Sequence, residues 1–205
     1  MIVLGITGGV GSGKSRILNE LKEKYNAYVV EADKLAHELM EPCQPIYDKI
    51  VQSFGMDILV SAGGEIDRRR LGDIVFKDRE KLELLNSITH PGVKEKIIEM
   101  IDKKKKEGNT GLFVIEAALL IQDGYKEICD EIWYIWVSKE ERIKRLANQR
   151  GYSEEKCEDM FSSQEDDEYY KKYADFTINN DLSYENSSKQ LKARLIKLFP
   201  NGIMN

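Results

Sequence analysis

The sequence contains little cysteine, histidine and proline, and it lacks a long apolar run. Three cysteines and two histidines occur in 205 residues. Cys43, Cys129 and Cys157 are widely separated, which indicates neither a disulfide framework nor a Cys-x-x-Cys metal site. No stretch approaches the roughly 18 apolar residues of a transmembrane helix, and the first residues lack the pattern of a signal peptide. We therefore expect a cytoplasmic protein without a membrane partner.

The sequence also lacks an excess of positive charge. Lys and Arg together number 31 against 36 Asp and Glu, which gives a net charge of −5. Because nucleic acid attracts cationic surfaces, this balance argues against a nucleic-acid partner, and any anionic ligand needs a local site. Hydrophobic residues make up 41% of the chain and charged residues 33%, a mixture typical of globular proteins. The length favours a single domain over residues 1–205.

Apolar runs of strand length alternate with segments of helical periodicity along the chain. This alternation is typical of βα units, an α/β fold with a mainly parallel sheet. Ser138 and Glu141 have the spacing of a capping box, which predicts a helix that ends at about residue 149. Further helices are predicted over 14–24 and about 184–199. Strands are predicted over 2–6, 27–30, 112–115, 132–137 and 176–179.

The stretch over about 33–106 is helical in pattern and is interrupted only by turn signals. It therefore predicts a helical lobe. Proline suits the first position of a helix, so we expect a new helix to begin at Pro91. Other turns are expected at Pro42, Pro45 and Gly63-Gly64.

The most informative motif lies between the first predicted strand and the first predicted helix. It satisfies G-x-x-x-x-G-K-[ST], the phosphate-binding loop, and reads Gly8-Gly9-Val10-Gly11-Ser12-Gly13-Lys14-Ser15. Glycines let the backbone form a concave nest whose N–H groups point at phosphate oxygens. Lys14 would reach the β- and γ-phosphates of a nucleotide, and the Ser15 hydroxyl would bind Mg²⁺. The motif predicts a nucleotide-binding site, which either an NTPase switch or a kinase would have.

Carboxylates follow two of the predicted strands, where the ligand crevice of an open α/β sheet forms. Asp33 follows the second strand, where it acts either as a general base toward an acceptor hydroxyl or as the N-cap of the next helix. Glu116 follows the third strand, where it either orders Mg²⁺ or simply ends the strand. The run 165–168 is interpreted as a solvated acidic patch.

An enzyme that transfers a phosphoryl group from a bound nucleotide also needs cations over that group. Arg145, on the helix predicted after residue 138, and Arg150, at the end of that helix, are candidates for that task, and the helix end suits the hinge of a mobile lid. Arg142 is interpreted as a solvated surface residue. Arg68 either meets phosphates of the acceptor or forms salt bridges on a helix face. His37 either contacts the substrate or has a packing or surface role.

Motifs throughout the chain resemble the dephospho-CoA kinase family, in the order in which that family has them. The similarity begins with the phosphate loop and covers nearly the whole chain. The residues that carry it are Thr7 to Ser15, Glu31-Ala32-Asp33, Asp67-Arg68, Leu71, Val75-Phe76, Leu85-Asn86, His90-Pro91, Leu119-Leu120, Arg145, Arg150, Gln164, Ala174-Asp175, Ile178 and Asn180.

The resemblance implies a P-loop kinase fold with a five-stranded parallel sheet, a helical acceptor-binding lobe and a lid over about 140–172. The implied reaction transfers the γ-phosphoryl group of ATP to the ribose 3′-hydroxyl of dephospho-CoA, with Mg²⁺, and gives coenzyme A and ADP. Arg16 and Asn180 would then assist in binding ATP. Acceptor-binding roles fall to Asp33, His37, Arg68, His90, Leu119 and Leu120.

Three positions depart from the family pattern. Arg16 stands where the family usually has Thr, and Glu31 replaces the first Asp of an Asp-x-Asp pair. A Pro-Leu-Leu-x-Glu segment here begins with Ala118 and ends with Gln122, so it lacks a rigid turn and a carboxylate. The alternative is another small-molecule P-loop kinase that acts on a nucleoside or nucleotide. A regulatory GTPase is disfavoured because no Asn-Lys-x-Asp motif is present.

Overall fold

A computed structural model describes residues 1–200 and 202. Its five strands are β1 (Ile2–Thr7), β2 (Tyr28–Glu31), β3 (Leu112–Glu116), β4 (Glu131–Trp136) and β5 (Phe176–Asn179). They form one parallel sheet in the order β2-β3-β1-β4-β5. The sheet confirms the predicted fold class, and each predicted strand lies within one residue of its observed bounds.

Helices connect the strands. They are α1 (Lys14–Tyr25), α2 (Ala32–Leu39), α3 (Tyr47–Phe54), α4 (Arg68–Lys77), α5 (Arg79–Glu107), α6 (Lys139–Arg150), α7 (Glu154–Ser162), α8 (Asp167–Tyr173) and α9 (Tyr184–Leu198). As the capping box predicts, the Ser138 side chain accepts a hydrogen bond from the backbone N–H of Glu141 at the start of α6.

The chain divides into two compact units. The first comprises Met1–Val30 and the described residues from Lys103 onward, and the second comprises Glu31–Asp102. The core of the first unit includes Ile6 of β1 and Trp133 of β4. Helices α1 and α9 contribute Leu21 and Leu191 to the same core. Strands β1 and β4 are mainly apolar because a parallel sheet is buried on both faces. Their carboxyl ends therefore become the place where polar residues collect.

The second unit is helical. Most of its buried side chains come from α2, α3, α4 and α5 and from the short 3₁₀ turn Met56–Ile58; they include Leu35, Ile50, Ile58, Leu71 and Ile97. Leu59 and Ile66 form an isolated antiparallel bridge.

The prediction that a new helix begins at Pro91 is wrong, as helix α5 shows. The helix runs without interruption from Arg79 to Glu107 with Pro91 inside it. Proline removes the N–H that would bond the carbonyl four residues earlier, at a cost of about 3 kcal/mol. The buried side chains of Thr89, Val93 and Ile97 lie on either side of the proline. Their packing holds the two parts of the helix as one element.

Within the part of the chain that the structure describes, no helix combines the length and apolarity needed to cross a membrane.

Candidate active site

The phosphate loop joins the end of β1 to the start of α1, as the motif predicts. Gly13 is the N-cap of α1 and has a φ of 83°, a left-handed conformation that favours glycine. A Cβ at Gly13 would lie 2.6 Å from Nδ2 of Asn180, and one at Gly8 would lie 2.7 Å from the carbonyl oxygen of Ile135. The loop is therefore packed so closely against β4 and the segment after β5 that these two positions leave no space for a side chain.

Lys14 crosses back over this loop. Its Nζ donates a hydrogen bond to the carbonyl oxygen of Gly8 at 2.7 Å and lies 3.6 Å from Oε1 of Glu116 at the end of β3. Both side chains are largely buried. The loop cation and the strand-end carboxylate, which lie far apart in sequence, are thus neighbours in the site.

A cleft of about 460 Å³ opens over the loop. It brings together most of the predicted nucleotide and catalytic residues of the first unit. Besides loop residues, the lining includes Ser15, Arg16, Glu116, Leu146, Gln149, Leu182 and Tyr184, together with Arg145, Arg150 and Asn180.

Asn180 supports the loop from the end of β5. Its Nδ2 donates to the carbonyl oxygen of Ser12 at 2.7 Å, and its Oδ1 accepts from the hydroxyl of Ser187 at 2.6 Å. The residue is buried. Because an unpaired polar group is costly inside a protein, these bonds fix the amide and, through it, the loop carbonyl.

Arg145 and Arg150 line the same cleft from α6. Arg145 donates to the carbonyl oxygen of Asn180 at 2.8 Å and to Oε1 of Glu141 at 3.0 Å. Arg150 is the last residue of α6, is exposed, and is followed by Gly151 with a φ of 65°. Arg145 is therefore held in place, whereas Arg150 projects from the helix end.

The interpretation of Arg142 as a solvated surface residue is wrong. Its Nε donates to the carbonyl oxygen of Val10 at 2.8 Å, and one terminal nitrogen donates to Oε1 of Gln164 at 2.6 Å. Its guanidinium also lies 4.0 Å from the centroid of the Phe161 ring. A signal was present in the sequence, because Arg142 and Arg145 are three residues apart and share one face of α6.

Arg16 and Tyr184 form a further part of the cleft wall. The Arg16 guanidinium lies 3.6 Å from the centroid of the Tyr184 ring, a cation–π contact. The Tyr184 hydroxyl donates to Glu20 at 2.5 Å. Burial, together with this hydrogen bond to a carboxylate, raises the pKa of Tyr184 to about 12. Neither Glu20 nor Tyr184 carries a motif that would have marked it in the sequence.

Glu20 is a buried carboxylate on α1. Burial acts to raise its pKa, but hydrogen bonds from Ser188, Tyr184 and Lys24 outweigh that effect and hold the pKa below its ordinary value of 4.5. The carboxylate therefore joins α1, which begins at the phosphate loop, to α9.

The acidic run 165–168 is not simply solvated. Asp167 accepts hydrogen bonds from the Tyr134 hydroxyl at 2.6 Å and from Trp136 Nε1 at 2.5 Å. Asp166 caps α8 through the backbone N–H of Tyr169. Burial, and then the bond to Asp167, raises the pKa of Tyr134. Asp167 thus attaches α8 to β4, and its interpretation as a solvated residue is wrong.

Comparisons with known proteins bear on the whole chain. The family model described as dephospho-CoA kinase matches residues 2–186. The chain belongs to the dephospho-CoA kinase family. A dephospho-CoA kinase of Aquifex aeolicus is 41% identical over 92% of this chain and 93% of its own length. One of Carboxydothermus hydrogenoformans is 37% identical over 95% of this chain and 93% of its own length.

A solved structure of the family gives the same result for the fold. The dephospho-CoA kinase from Campylobacter jejuni is 30% identical and superposes with a TM-score of 0.71, covering 97% of this chain and 98% of its own. The match extends over both compact units of the chain.

Several residues that the dephospho-CoA kinase resemblance assigned to the acceptor lie in the second unit. Asp33 is the second residue of α2, where it is exposed; the N-cap of that helix is Glu31, so the N-cap interpretation of Asp33 is wrong. His37 is exposed in the last turn of α2. Arg68 forms an ion pair with Glu41 at 3.1 Å, which is the salt-bridge alternative. His90 is half-buried within α5.

The segment that departs from the dephospho-CoA kinase pattern follows β3 in the first unit. Leu120 is completely buried beneath Gly5, so only Leu119, which is 41% exposed, presents a side chain to a ligand. The turn persists without proline, because the backbone N–H of Asp123 donates to the carbonyl oxygen of Leu119 at 2.9 Å. The departures at Ala118 and Gln122 therefore remove a carboxylate but not the turn.

Proposed function

We propose that this protein transfers the γ-phosphoryl group of ATP to the ribose 3′-hydroxyl of dephospho-CoA, which gives coenzyme A and ADP. The observation that carries the proposal is the cleft over the phosphate loop, in a chain of this family: a fixed ammonium, a strand-end carboxylate and three arginines line one cavity. Phosphoryl transfer needs positioning and charge neutralisation more than covalent catalysis, and these groups suit that need.

The loop would hold the phosphates of ATP. Its backbone N–H groups form the cradle, and Lys14 supplies a cation whose position is set by Gly8 before ATP binds. Asn180, Arg16 and Tyr184 would form the wall beyond the phosphates, since they line the same cleft.

Ser15 and Glu116 have the donors that Mg²⁺ prefers. Hydroxyl and carboxylate oxygens are hard ligands, and both residues line the cleft next to the loop. These two residues would hold Mg²⁺, which neutralises phosphate charge when bound. Ser15→Ala should therefore weaken binding of Mg²⁺·ATP more than binding of free ATP, as isothermal titration calorimetry with and without Mg²⁺ would measure. Equal weakening of both would exclude Ser15 as a ligand.

Asp33 would accept the proton of the acceptor hydroxyl. Its carboxylate is exposed in the first turn of α2, and the N-cap position of that helix is taken by Glu31. A general base must be within hydrogen-bonding reach of the proton that it removes, and an exposed carboxylate without a structural task is available for that role. His37, Arg68, His90 and Leu119 would contact the acceptor.

The segment over about 140–172 would act as a lid in a single P-loop kinase domain, with 33–106 as the acceptor lobe. Arg150 ends α6 next to a glycine in a left-handed conformation, which suits a hinge. The part of the lid that moves would be the stretch between this hinge and Gln164, because Arg142 and Gln164 are bonded to the phosphate loop. A lid that brings cations to the γ-phosphate as it closes also excludes water and spares ATP from hydrolysis. We place the reaction in the cytoplasm, as the sequence patterning predicts.

An acceptor screen tests the proposed function. Purified protein with Mg²⁺ and ATP would be incubated with dephospho-CoA, nucleosides or nucleoside monophosphates at equal concentration, and ADP and the phosphorylated product would be quantified by chromatography. We expect turnover with dephospho-CoA and little with the other acceptors. A higher kcat/KM for a nucleoside or nucleotide would favour the alternative kinase.

A further inference from the structure

Val10, at the tip of the phosphate loop, is bonded through both its backbone N–H and its carbonyl to side chains from outside the loop. Its backbone N–H donates to Oε1 of Gln164 at 3.3 Å, and its carbonyl oxygen accepts from Nε of Arg142 at 2.8 Å. Arg142 also donates to the same Oε1 of Gln164 at 2.6 Å. The three residues form a closed triangle that joins the loop to α6 and to the segment between α7 and α8.

The guanidinium of Arg142 is half-buried and also contacts an aromatic ring. It stacks on Phe161 at 4.0 Å, and burial lowers its pKa, although an arginine stays protonated at neutral pH. The negative charge of Asp167 acts in the opposite direction and favours the protonated guanidinium. A half-buried positive charge, held by hydrogen bonds to Val10 and Gln164, therefore lies against the phosphate loop.

Gly9 shows how closely the guanidinium approaches the loop. A Cβ at Gly9 would lie 2.5 Å from a terminal nitrogen of Arg142 and 2.6 Å from its Cζ. Any side chain at this position would push the guanidinium away from Val10. The close approach of Arg142 to the loop therefore requires a glycine at position 9.

We propose that Arg142, together with Gln164, is a positioning residue that holds the phosphate loop in its nucleotide-binding shape before ATP arrives. Glycines at 8, 9, 11 and 13 give the free loop many conformations, and ordering them on binding would weaken affinity. A tether at Val10 restricts the loop in advance and so reduces that cost. The planar guanidinium can donate two hydrogen bonds and stack on Phe161 at once, which a lysine ammonium cannot do.

The test uses the full chain and two anionic probes. ATP and inorganic tripolyphosphate, which has phosphates but no base, would be titrated calorimetrically into wild type, Arg142→Gln, Arg142→Lys and Lys144→Gln. Lys144 is an exposed cation on the same helix and serves as the control. Loss of one hydrogen bond to a charged group is enough to weaken binding tenfold or more. We expect both Arg142 variants to bind both probes about tenfold more weakly, with Lys144→Gln unchanged.

Thermal unfolding would verify that each variant is folded, so that a loss of affinity reflects positioning of the loop. Gln164→Leu removes the other residue that bonds to Val10, so it should weaken binding of both probes to a similar extent. Adding Arg142→Gln to it should produce less than the sum of the two losses, because coupled residues are not additive. This second variant keeps the test available if Arg142→Gln fails to fold.

Three results would overturn the proposal. The first is wild-type affinity for tripolyphosphate in a folded Arg142→Gln variant, and the second is full rescue by Arg142→Lys, which would indicate a point charge. The third is additive losses in the double variant. The inference rests on the proposed function only in taking ATP as the ligand. Because these titrations contain no acceptor, a protein that fails to phosphorylate dephospho-CoA would still give a clear result.

Discussion

Lys14→Met tests the cation that we place over the transferred phosphoryl group. The substitution removes the ammonium but keeps an unbranched side chain of similar length. In the structure the ammonium lies 2.7 Å from the Gly8 carbonyl oxygen and 3.6 Å from Glu116, and the side chain is only 17% exposed. It is therefore fixed before substrate binds and needs little reorganisation as charge develops.

The expected loss follows from this geometry. Removal of one preorganised group that stabilises transition-state charge costs about 2.7–4 kcal/mol, which corresponds to a decrease in kcat of about 10²–10³. The reduction should exceed any change in KM for dephospho-CoA, because Lys14 belongs to the phosphate loop and faces the nucleotide cleft.

The assay is steady-state ADP release with saturating ATP and dephospho-CoA. Lys22→Met is the matched control, since Lys22 is an exposed lysine on the same helix α1, and it should retain wild-type turnover. Thermal unfolding would verify that both variants are folded. A folded Lys14→Met variant with kcat within about threefold of wild type would refute the assigned role, because that is far less than the cost of losing one such group.

Three further predictions follow from the same account. Asp33→Asn should lower kcat by about 10²–10⁴ with ATP affinity preserved; Asp48→Asn, an exposed acid at the same position of an equally short helix, should have no effect. Arg150→Ala should slow transfer without weakening ATP binding in calorimetry, whereas weaker binding with unchanged kcat would make it a ground-state contact. Because the pKa of Glu20 is lowered in the folded state, its stabilising effect is present above pH 4.5 and is lost as pH falls through the lowered value. Glu20→Gln should therefore reduce the unfolding free energy at pH 7 and progressively less in acid; an equal reduction at every pH would contradict this.

Features set by neighbouring residues could be predicted from the sequence. The loop from Gly8 to Ser15 requires glycines for its own backbone shape, and Ser138 caps α6 through a residue only three positions away. The three central strands, β1, β3 and β4, were predictable because both faces of a parallel sheet are buried, so these strands are mainly apolar. Local chemistry is sufficient for such features.

Features that depend on distant contacts could not be predicted in this way. The bond between Arg142 and Val10 spans 132 positions, and the bond between Tyr184 and Glu20 spans 164. No local pattern shows that these arginine and tyrosine side chains will meet a loop carbonyl or a buried carboxylate. The prediction at Pro91 failed for a related reason. The local signal favours a new helix, but packing along α5 preserves a continuous one.

The position of the transferred phosphate decides whether this protein acts on the ribose 3′-hydroxyl of dephospho-CoA. Dephospho-CoA and ATP labelled at the γ-phosphorus would be converted by wild type and by Lys14→Met, and the product would be examined by mass spectrometry and by ³¹P and ¹H nuclear magnetic resonance. We expect label on the ribose 3′-oxygen, formed by wild type at a rate about 10²–10³ times that of the variant. Label on another hydroxyl, label released as inorganic phosphate, or equal rates for the two proteins would contradict it.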